Sequence, residues 1–246
     1  MNALRAYAWW LGLALLAPIA LPLAVRTRRS ALRLPPATGP LSGVAGADLP
    51  GEPLRLLVLG ESTVVGVGVD ELGAALVGQL ATALAARCGR PVAWRACGEN
   101  GITAAQARER LLPQVLGQPF DLALLVFGVN DTTHLTSLPR WDAALGGMAE
   151  ALAARGARVA FSSVPPLQHF SALPWLLRRL LGMRAGLLDA RLRQLVVSLG
   201  AGHHAVELEF SAEYLARDGY HPSDLGYRVW AQGLAVSLAP AARCAP

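Results

Sequence analysis

Short apolar runs alternate with longer segments of helical periodicity along most of the chain. Apolar runs of this length fit strands buried on both faces, and the segments between them are long enough for helices that cross from one parallel strand to the next. The pattern predicts strands at 54–59, 92–97, 122–127, 158–162 and 205–208, and helices at 72–87, 104–112, 141–155, 184–199 and 224–238. This order predicts an α/β fold, a three-layer α/β/α sandwich around a mostly parallel, flavodoxin-like five-stranded sheet.

The beginning of the chain departs from this alternation. Residues 6–25 carry no charge, and a run of about 20 apolar residues is long enough to cross a bilayer. We therefore interpret residues 1–33 as a membrane anchor with a basic flank. Two alternatives stay open, a cleaved signal peptide that would export the protein and an apolar segment packed on the domain. Four arginines follow the run and Arg5 precedes it, so the positive-inside rule predicts a cytoplasmic domain.

The next segment, residues 34–53, is rich in proline and glycine without a repeat and is predicted to form a linker. Residues 54–246 then remain for one folded domain, which is a usual length for an α/β domain. With 53% apolar and 16% charged residues, the chain has enough hydrophobic side chains for a core and lacks the composition of a disordered protein. The sequence leaves the oligomeric state open.

The basic residues and the cysteines exclude several kinds of chemistry. All 22 basic residues are arginine, so a Ser-Lys dyad, a Schiff base and a P-loop lysine are impossible. The formal net charge is +5, but the arginines are mostly scattered, and nucleic acid is not expected as a partner. The three cysteines have no CxxC spacing and no neighbouring cluster of histidines. Neither a metal site nor an organic cofactor is predicted.

Polar turns that contain glycine follow three successive predicted strands. They are residues 60–63 (GEST), 98–101 (GENG) and 128–131 (GVND). One such turn is ordinary, because glycine often ends a strand for backbone reasons. Three of them predict a functional site, because ligands of open α/β sheets bind beyond the carboxyl ends of the strands.

A fourth polar segment, which contains Asp218 and His221, lies between the last predicted strand and the last predicted helix. An aspartate and a histidine three residues apart in a turn can meet, and the carboxylate would accept the Nδ1 proton of the imidazole. That bond leaves Nε2 unprotonated, as a general base toward a serine hydroxyl requires. Alone, such a pair is more typical of an aspartate that caps a turn and a histidine on the surface. Because Ser62 needs a base, we interpret Ser62, Asp218 and His221 as the catalytic group.

Taken in order, the four segments resemble the sequence blocks of the SGNH/GDSL hydrolases, a family of serine esterases and lipases, over about residues 54–238. The nucleophile block, usually Gly-Asp-Ser, is Gly60-Glu61-Ser62 here. The glycine block matches Asn100-Gly101, and the remaining blocks match 128–131 and 218–221. The one departure is Glu61 in place of aspartate, which keeps the charge and adds a methylene. The resemblance implies that residues 54–246 form an SGNH hydrolase domain.

The resemblance also implies ester hydrolysis in two steps without a cofactor. Ser62 attacks the ester carbonyl, His221 takes the serine proton, Asp218 orients the imidazole, and water later releases the acyl group. The implied oxyanion hole consists of the backbone N–H groups of Ser62 and Gly101 and the side-chain amide of Asn130.

The segment 164–183 follows the fourth predicted strand and is apolar for a loop. We consider Phe170, Trp175 and His134 as possible residues of a substrate cleft. The segment and the N-terminal run favour a hydrophobic or lipid-derived ester, although an ordinary amphipathic helix packed on the core also fits 164–183. The alternative functions are a carbohydrate O-deacetylase or an acyltransferase with the same triad, or a catalytically inactive binding domain.

Overall fold

The computed structural model describes residues 2–205 and 211–243, which form six strands and eight α-helices. The strands are β1 (Ser42–Ala45), β2 (Leu54–Gly60), β3 (Val92–Gly98), β4 (Leu122–Val126), β5 (Arg158–Ser162) and β6 (Gly202–His204). The helices are α1 (Asn2–Ser30), α2 (Leu76–Cys88), α3 (Ala104–Arg110), α4 (Leu112–Val115), α5 (Val129–Thr133), α6 (Leu138–Ala153), α7 (Trp175–Leu199) and α8 (Asp224–Arg243).

One sheet forms the middle layer, with the strand order β1-β3-β2-β4-β5-β6. Strand β1 is antiparallel to β3, and every other neighbouring pair is parallel. Gly60 at the end of β2 pairs with Gly98 of β3 and with Val126 of β4, so these strands end at the same edge. The predicted α/β fold with a mostly parallel sheet is confirmed, but the sheet has six strands and the prediction of five was wrong.

The additional strand, β1, lies within the range 34–53 that was expected to be a linker. Ser42–Ala45 pairs with β3 along its whole length, and Thr38 forms a β-bridge with Glu71. This part of the chain is therefore built into the edge of the sheet. A run of four small and partly exposed residues has no apolar pattern, so the strand depends on its pairing with β3 more than on its own side chains.

The last strand also differs from the expectation. It was predicted at 205–208, whereas β6 is Gly202–His204 and Ala205 follows it outside the strand; residues 206–208 lie outside the described part of the chain. His203 and His204 pair with Phe161 and Ser162 of β5. A strand made of one glycine and two histidines has no apolar run that a hydrophobic pattern detects.

Strand β2 separates two hydrophobic layers, because its side chains alternate between the faces of the sheet. Leu57 and Leu59 pack with buried residues of α3, α6 and α7, whereas Leu54, Leu56 and Val58 pack with those of α2 and α8. All five side chains are fully buried. Burial on both faces is typical of a central parallel strand and fixes the position of the turn that follows it.

Helix α1 packs against α7, although the sequence was interpreted as an anchor separate from the domain. Trp9 and Ala20 are buried, and Trp9 Nε1 donates a hydrogen bond of 2.9 Å to the carbonyl oxygen of Leu180 in α7. In the described part of the chain, one helix, Leu4–Ser30, is long and apolar enough to cross a membrane, and only 11% of its most apolar stretch is buried. Signal sequences near an N-terminus share this length and composition.

Candidate active site

The turns that follow β2, β3, β4 and β5 line one cavity at the carboxyl edge of the sheet. Its volume is about 260 Å³, and Ser62, Asn100, Asn130 and Ser163 from these four turns lie on its wall. His221, from the loop before α8, closes another side. The rest of the wall is largely apolar and includes Val126, Phe127, Val129, Pro165, Pro166, Phe170, Leu215 and Trp230. The structure thus brings together the polar turns that the sequence pattern predicted to meet.

Ser62, His221 and Asp218 form a continuous chain of hydrogen bonds on the wall of this cavity. His221 Nε2 lies 2.9 Å from Ser62 Oγ, and His221 Nδ1 lies 2.6 Å from Asp218 Oδ2. An ionised carboxylate only accepts hydrogen bonds, so Nδ1 carries the proton and Nε2 of the neutral imidazole accepts the serine hydroxyl. This is the arrangement that makes a serine hydroxyl nucleophilic.

The surroundings of Asp218 favour its ionised form. Burial opposes ionisation, but His221 Nδ1 and the backbone N–H groups of Tyr220 and His221 donate to the carboxylate and together lower its pKa. The two backbone bonds, of 3.0 Å and 3.1 Å, come from within the loop itself and fold it around the acid. The loop needs Gly219, because its φ is +67° and a Cβ there would lie 2.7 Å from Ser171 Oγ.

Glu61 connects the turn after β2, which contains Ser62, to the turn after β4. Its side chain is buried; Oε1 accepts the Gly128 N–H, and Oε2 accepts the Asn130 N–H at 3.1 Å and Asn130 Nδ2 at 3.0 Å. Burial raises the pKa of Glu61 to about 8. The hydrogen bond from Gly128 opposes this rise, and the nearby Asp131 carboxyl adds to it. The sequence identified Glu61 as a departure from the family's aspartate, but the spacing gave no sign of this connection.

Both hydrogens of the Asn130 amide group have acceptors within the protein. Besides Glu61 Oε2, Asn130 Nδ2 donates to the carbonyl oxygen of Ile102 at 3.0 Å. Because both partners are acceptors, the nitrogen must point toward them, and both of its hydrogens are used. The backbone N–H groups of Ser62 and Gly101, in contrast, donate to no acceptor within the described residues. Gly101 has a φ of +83°, which explains the glycine at this position.

Asp131, next to Asn130, connects the turn after β4 to the start of α3. It is fully buried, and its Oδ2 accepts the N–H of Ala104 at 2.9 Å, at the first turn of α3. Thr103 caps the same helix, where its side chain and that of Gln106 form a capping box. Burial raises the pKa of Asp131. The bond to Ala104 holds the turn after β4, which contains Asn130, against the start of α3.

The structure brings one of the three possible cleft residues to the cavity. Phe170 lies on its wall and meets Tyr220 edge to face, with ring centroids 6.2 Å apart. His134 is exposed, caps the end of α5 and directs Nδ1 to the carbonyl oxygen of Asn130 at 2.9 Å. Trp175 is 66% exposed at the start of α7. Neither His134 nor Trp175 is among the residues that line the cavity.

Potential metal ligands do not cluster in the described part of the chain. No group of three or more histidine, cysteine, aspartate or glutamate side chains there is arranged to hold an ion. Asp189 and His203 form a separate pair, 2.9 Å apart, in which Asp189 Oδ1 also accepts the N–H of Val164. That pair joins α7 to β6 and to the turn after β5. Of the three cysteines, Cys88 and Cys97 are free, and Cys244 lies outside the described residues.

A serine, an imidazole and a carboxylate joined in this order, at the carboxyl edge of a parallel sheet, define the class of serine hydrolases with an α/β fold. The model of the GDSL-like lipase/acylhydrolase family matches residues 58–229, and the chain belongs to this family. The resemblance drawn from the four sequence blocks is thereby confirmed.

Individual relatives agree with the family assignment. The chain is 28% identical over 197 residues to the GDSL-like esterase Rv1075c of Mycobacterium tuberculosis, and the match covers 75% of this chain and 62% of the relative, less than two thirds of its length. The lipase/acylhydrolase of Enterococcus faecalis has a similar structure, with a TM-score of 0.62 and 19% identity over 76% of this chain and 96% of the other. The acetyl xylan esterase AlAXEase follows with a TM-score of 0.61 and 15% identity, over 75% of this chain and 100% of the other.

Proposed function

We propose that the protein is a serine ester hydrolase that cleaves a hydrophobic carboxylic ester through an acyl-enzyme on Ser62. The observation that carries this proposal is the hydrogen-bond chain from Ser62 through His221 to Asp218, on the wall of a mainly apolar cavity. Membership of the GDSL-like family and the relative described as an esterase support it.

In the proposed reaction, Ser62 Oγ adds to the ester carbonyl carbon while His221 Nε2 takes the hydroxyl proton. The ionised Asp218 stabilises the resulting imidazolium and keeps Nδ1 protonated. His221 then gives its proton to the departing alcohol oxygen, which leaves the acyl group on Ser62. A water molecule then adds to the acyl carbon while His221 takes its proton, and His221 returns this proton to Ser62 Oγ as the bond to the serine breaks and the carboxylic acid leaves.

The proposed oxyanion hole combines two backbone donors with one side chain. The N–H groups of Ser62 and Gly101 have no acceptor within the described residues and are available to a developing negative charge. Asn130 Nδ2 would turn one of its hydrogens from Glu61 or Ile102 toward the oxyanion. The hydrogen bond from Asn130 to the charged oxyanion would form in the transition state in place of one of the present bonds. An interaction that is stronger in the transition state than in the ground state contributes to catalysis.

The cavity favours a short to medium acyl chain. Its volume of about 260 Å³ lies just below the range of about 300–1,000 Å³ that is usual for drug-sized ligands, and most of its wall is apolar. We therefore propose that the acyl group occupies the cavity and that the alcohol part extends to solvent. The long apolar helix α1 supports association of the enzyme with a membrane, where hydrophobic esters concentrate. The cytoplasmic side expected from the arginines stays a prediction.

A series of p-nitrophenyl esters from acetate to palmitate tests the proposal. We expect the highest kcat/KM between butyrate and octanoate. Ser62→Ala and His221→Ala should each lower kcat by about 10⁴- to 10⁶-fold, and the double variant should lose little more, because triad members act as a unit. If the two losses in kcat multiplied in the double variant, the triad would be contradicted.

The alternative functions predict other outcomes. Turnover of acetylated xylan but of none of the p-nitrophenyl esters would favour the O-deacetylase. Transfer of the acyl group to an added alcohol in preference to water would favour the acyltransferase.

A further inference from the structure

Helix α1 has two faces, and the domain covers only one of them. Trp9 and Ala20 are buried against the domain, at 6% and 4% exposed. They are 11 residues, or about three helical turns, apart, so the contact extends along roughly 16 Å of the helix. Leu13, Leu16 and Leu23 lie on the same side and pack partly buried against the core that contains α7.

The contact between α1 and α7 centres on a buried arginine. Arg184 of α7 is 1% exposed, with its guanidinium carbon 5.1 Å from the ring centroid of Trp9 and 5.5 Å from that of Trp10. One of its nitrogens, Nη2, donates to the Thr136 carbonyl oxygen, whereas Nε and Nη1 have no hydrogen-bond partner. The indole faces of α1 therefore provide much of the environment that stabilises this buried cation.

The opposite face of α1 is apolar and uncovered. Its exposed side chains recur at helical spacing over about six turns and include Leu4, Tyr7, Leu11, Leu15, Ile19 and Val25, of which Leu15 is 82% and Ile19 63% exposed. A continuous apolar row of this length on a folded protein marks an interaction surface.

The charges at the ends of this row identify its partner. Arg5 lies at one end and Arg26, Arg28, Arg29 and Arg33 at the other, and no acidic residue occurs before Asp48. Contact between two copies through this face would place arginines of one copy against arginines of the other in a parallel and in an antiparallel pair, with no acidic residue on the helix to balance them. Phospholipid phosphates supply the complementary charge at both ends, and acyl chains accept the apolar row.

We infer that α1 remains docked on α7 and lies in the plane of an anionic phospholipid bilayer, so that its uncovered apolar face holds the catalytic domain on the membrane surface. The helix does not cross the bilayer in this arrangement, because residues 6–25 include both Trp9 and Ala20, whose contacts with the domain a crossing helix would lose. The inference is independent of ester hydrolysis, and turnover of a soluble short-chain ester serves as a separate control.

Flotation with preformed sealed vesicles tests the surface. We expect the detergent-purified full chain to bind phosphatidylglycerol/phosphatidylcholine vesicles, more weakly in high salt and on pure phosphatidylcholine. The double variant Leu11→Glu/Leu15→Glu should bind the vesicles on the order of 100-fold more weakly, while its turnover of a soluble ester stays unchanged. The matched control is Leu225→Glu/Val236→Glu, which places the same charges on α8 across the sheet and should bind as the wild type does. No binding, or equal loss in both variants, would overturn the inference.

Two further measurements distinguish docking from crossing. A membrane-impermeant maleimide added outside the vesicles should label Arg5→Cys, an exposed position at the start of α1 that does not belong to the apolar row, above the labelling of the wild type and to the same extent before and after the vesicles are lysed. Labelling only after lysis would mean that α1 crosses the bilayer. In solution, Trp9→Ala should lower the melting temperature more than Trp10→Ala, because Trp9 is buried and donates to Leu180 whereas Trp10 is 42% exposed. Equal, negligible effects of the two adjacent tryptophans would show that α1 is not docked.

Discussion

Among single residues, Glu61 offers the most specific test of how the site is held together. Its carboxyl group joins Gly128 and Asn130, and burial raises its pKa to about 8, so it is mostly neutral at pH 7. Above that pH the group ionises beside a proposed oxyanion donor, where negative charge opposes the transition state. We expect kcat of the wild type to fall as pH rises through about 8, and Glu61→Gln, which mimics the neutral acid, to lack this falling limb.

The same shift has a consequence for stability. Because the pKa of Glu61 is higher in the folded state than its usual value of 4.5, the stabilisation is complete below that value and is lost as pH rises through about 8. Urea unfolding of the wild type should therefore show decreasing stability over this interval, and Glu61→Gln should show a smaller decrease. If the free energy of unfolding changed with pH in the same way in both proteins, Glu61 would be ionised over the whole interval.

Asn130 is the second residue with a distinct signature. Asn130→Ala should lower kcat about 10²- to 10³-fold with KM nearly unchanged, the usual effect of removing one oxyanion donor. Asn130→Asp serves as a companion variant, because it keeps the shape and removes both donated hydrogens. A rise in KM with unchanged kcat would make Asn130 a substrate-binding residue, and a comparison of melting temperatures identifies any loss due to folding alone.

The residues of the proposed triad were predictable from the sequence to a greater extent than the hydrogen bonds around them. Ser62, Asp218 and His221 have side chains whose chemistry restricts the possibilities, and their positions at loop ends follow from the strand pattern. The bonds of Glu61 and the second acceptor of Asn130, Ile102 O, depend on which turns lie side by side. Only the packed sheet determines that, so no spacing in the sequence reveals it.

The loop 218–221 is held in place by close backbone packing. Gly219 has φ +67°, and a Cβ there would lie 3.0 Å from the backbone nitrogen of Ala172. Gly219→Ala should cost about 1–2 kcal/mol of stability and, by displacing His221, lower kcat on the order of 10- to 100-fold. Gly186→Ala is the control, since an added Cβ on that exposed residue of α7 meets nothing within 4 Å and should be neutral or stabilising by up to about 1 kcal/mol. Equal activities of the two variants would contradict the argument.

Central elements were predictable and peripheral ones were not, for a physical reason. Strands β2 and β4 in the middle of the sheet are largely apolar and buried, so their own side chains specify them, whereas β1 and β6 at the sheet edges take their conformation from a neighbouring strand. Similarly, α7 was predicted from residue 184 but begins at Trp175, because Leu177 and Leu180 turn inward against the core. An apolar stretch bordering a cavity is equally typical of a flap and of a buried helix, and packing decides between them.

The packing of α1 on the domain determines how the apolar N-terminal run is interpreted. Length and absence of charge are the same for a crossing helix, a signal peptide and a helix packed on a domain. The distinguishing feature is periodic burial, with Trp9 and Ala20 on one side and the exposed row on the other. In a run composed almost wholly of apolar residues, the sequence contains no contrast between two faces. The partner surface on α7 creates that contrast.

Removal of residues 1–33 tests how far the domain depends on this helix. Every residue of the proposed triad and oxyanion hole lies after the cut, so kcat on a soluble short-chain ester should be retained. The melting temperature should fall, on the order of 5 °C or more, because Leu180 and its apolar neighbours on α7 lose the cover of Trp9 and Ala20. Arg184 gains hydration when the indoles leave, which offsets part of the loss. The truncated protein should also fail to float with anionic vesicles. An unchanged melting temperature would show that α1 contributes nothing to the folded domain, and loss of kcat at full solubility would show that the helix supports the active site itself.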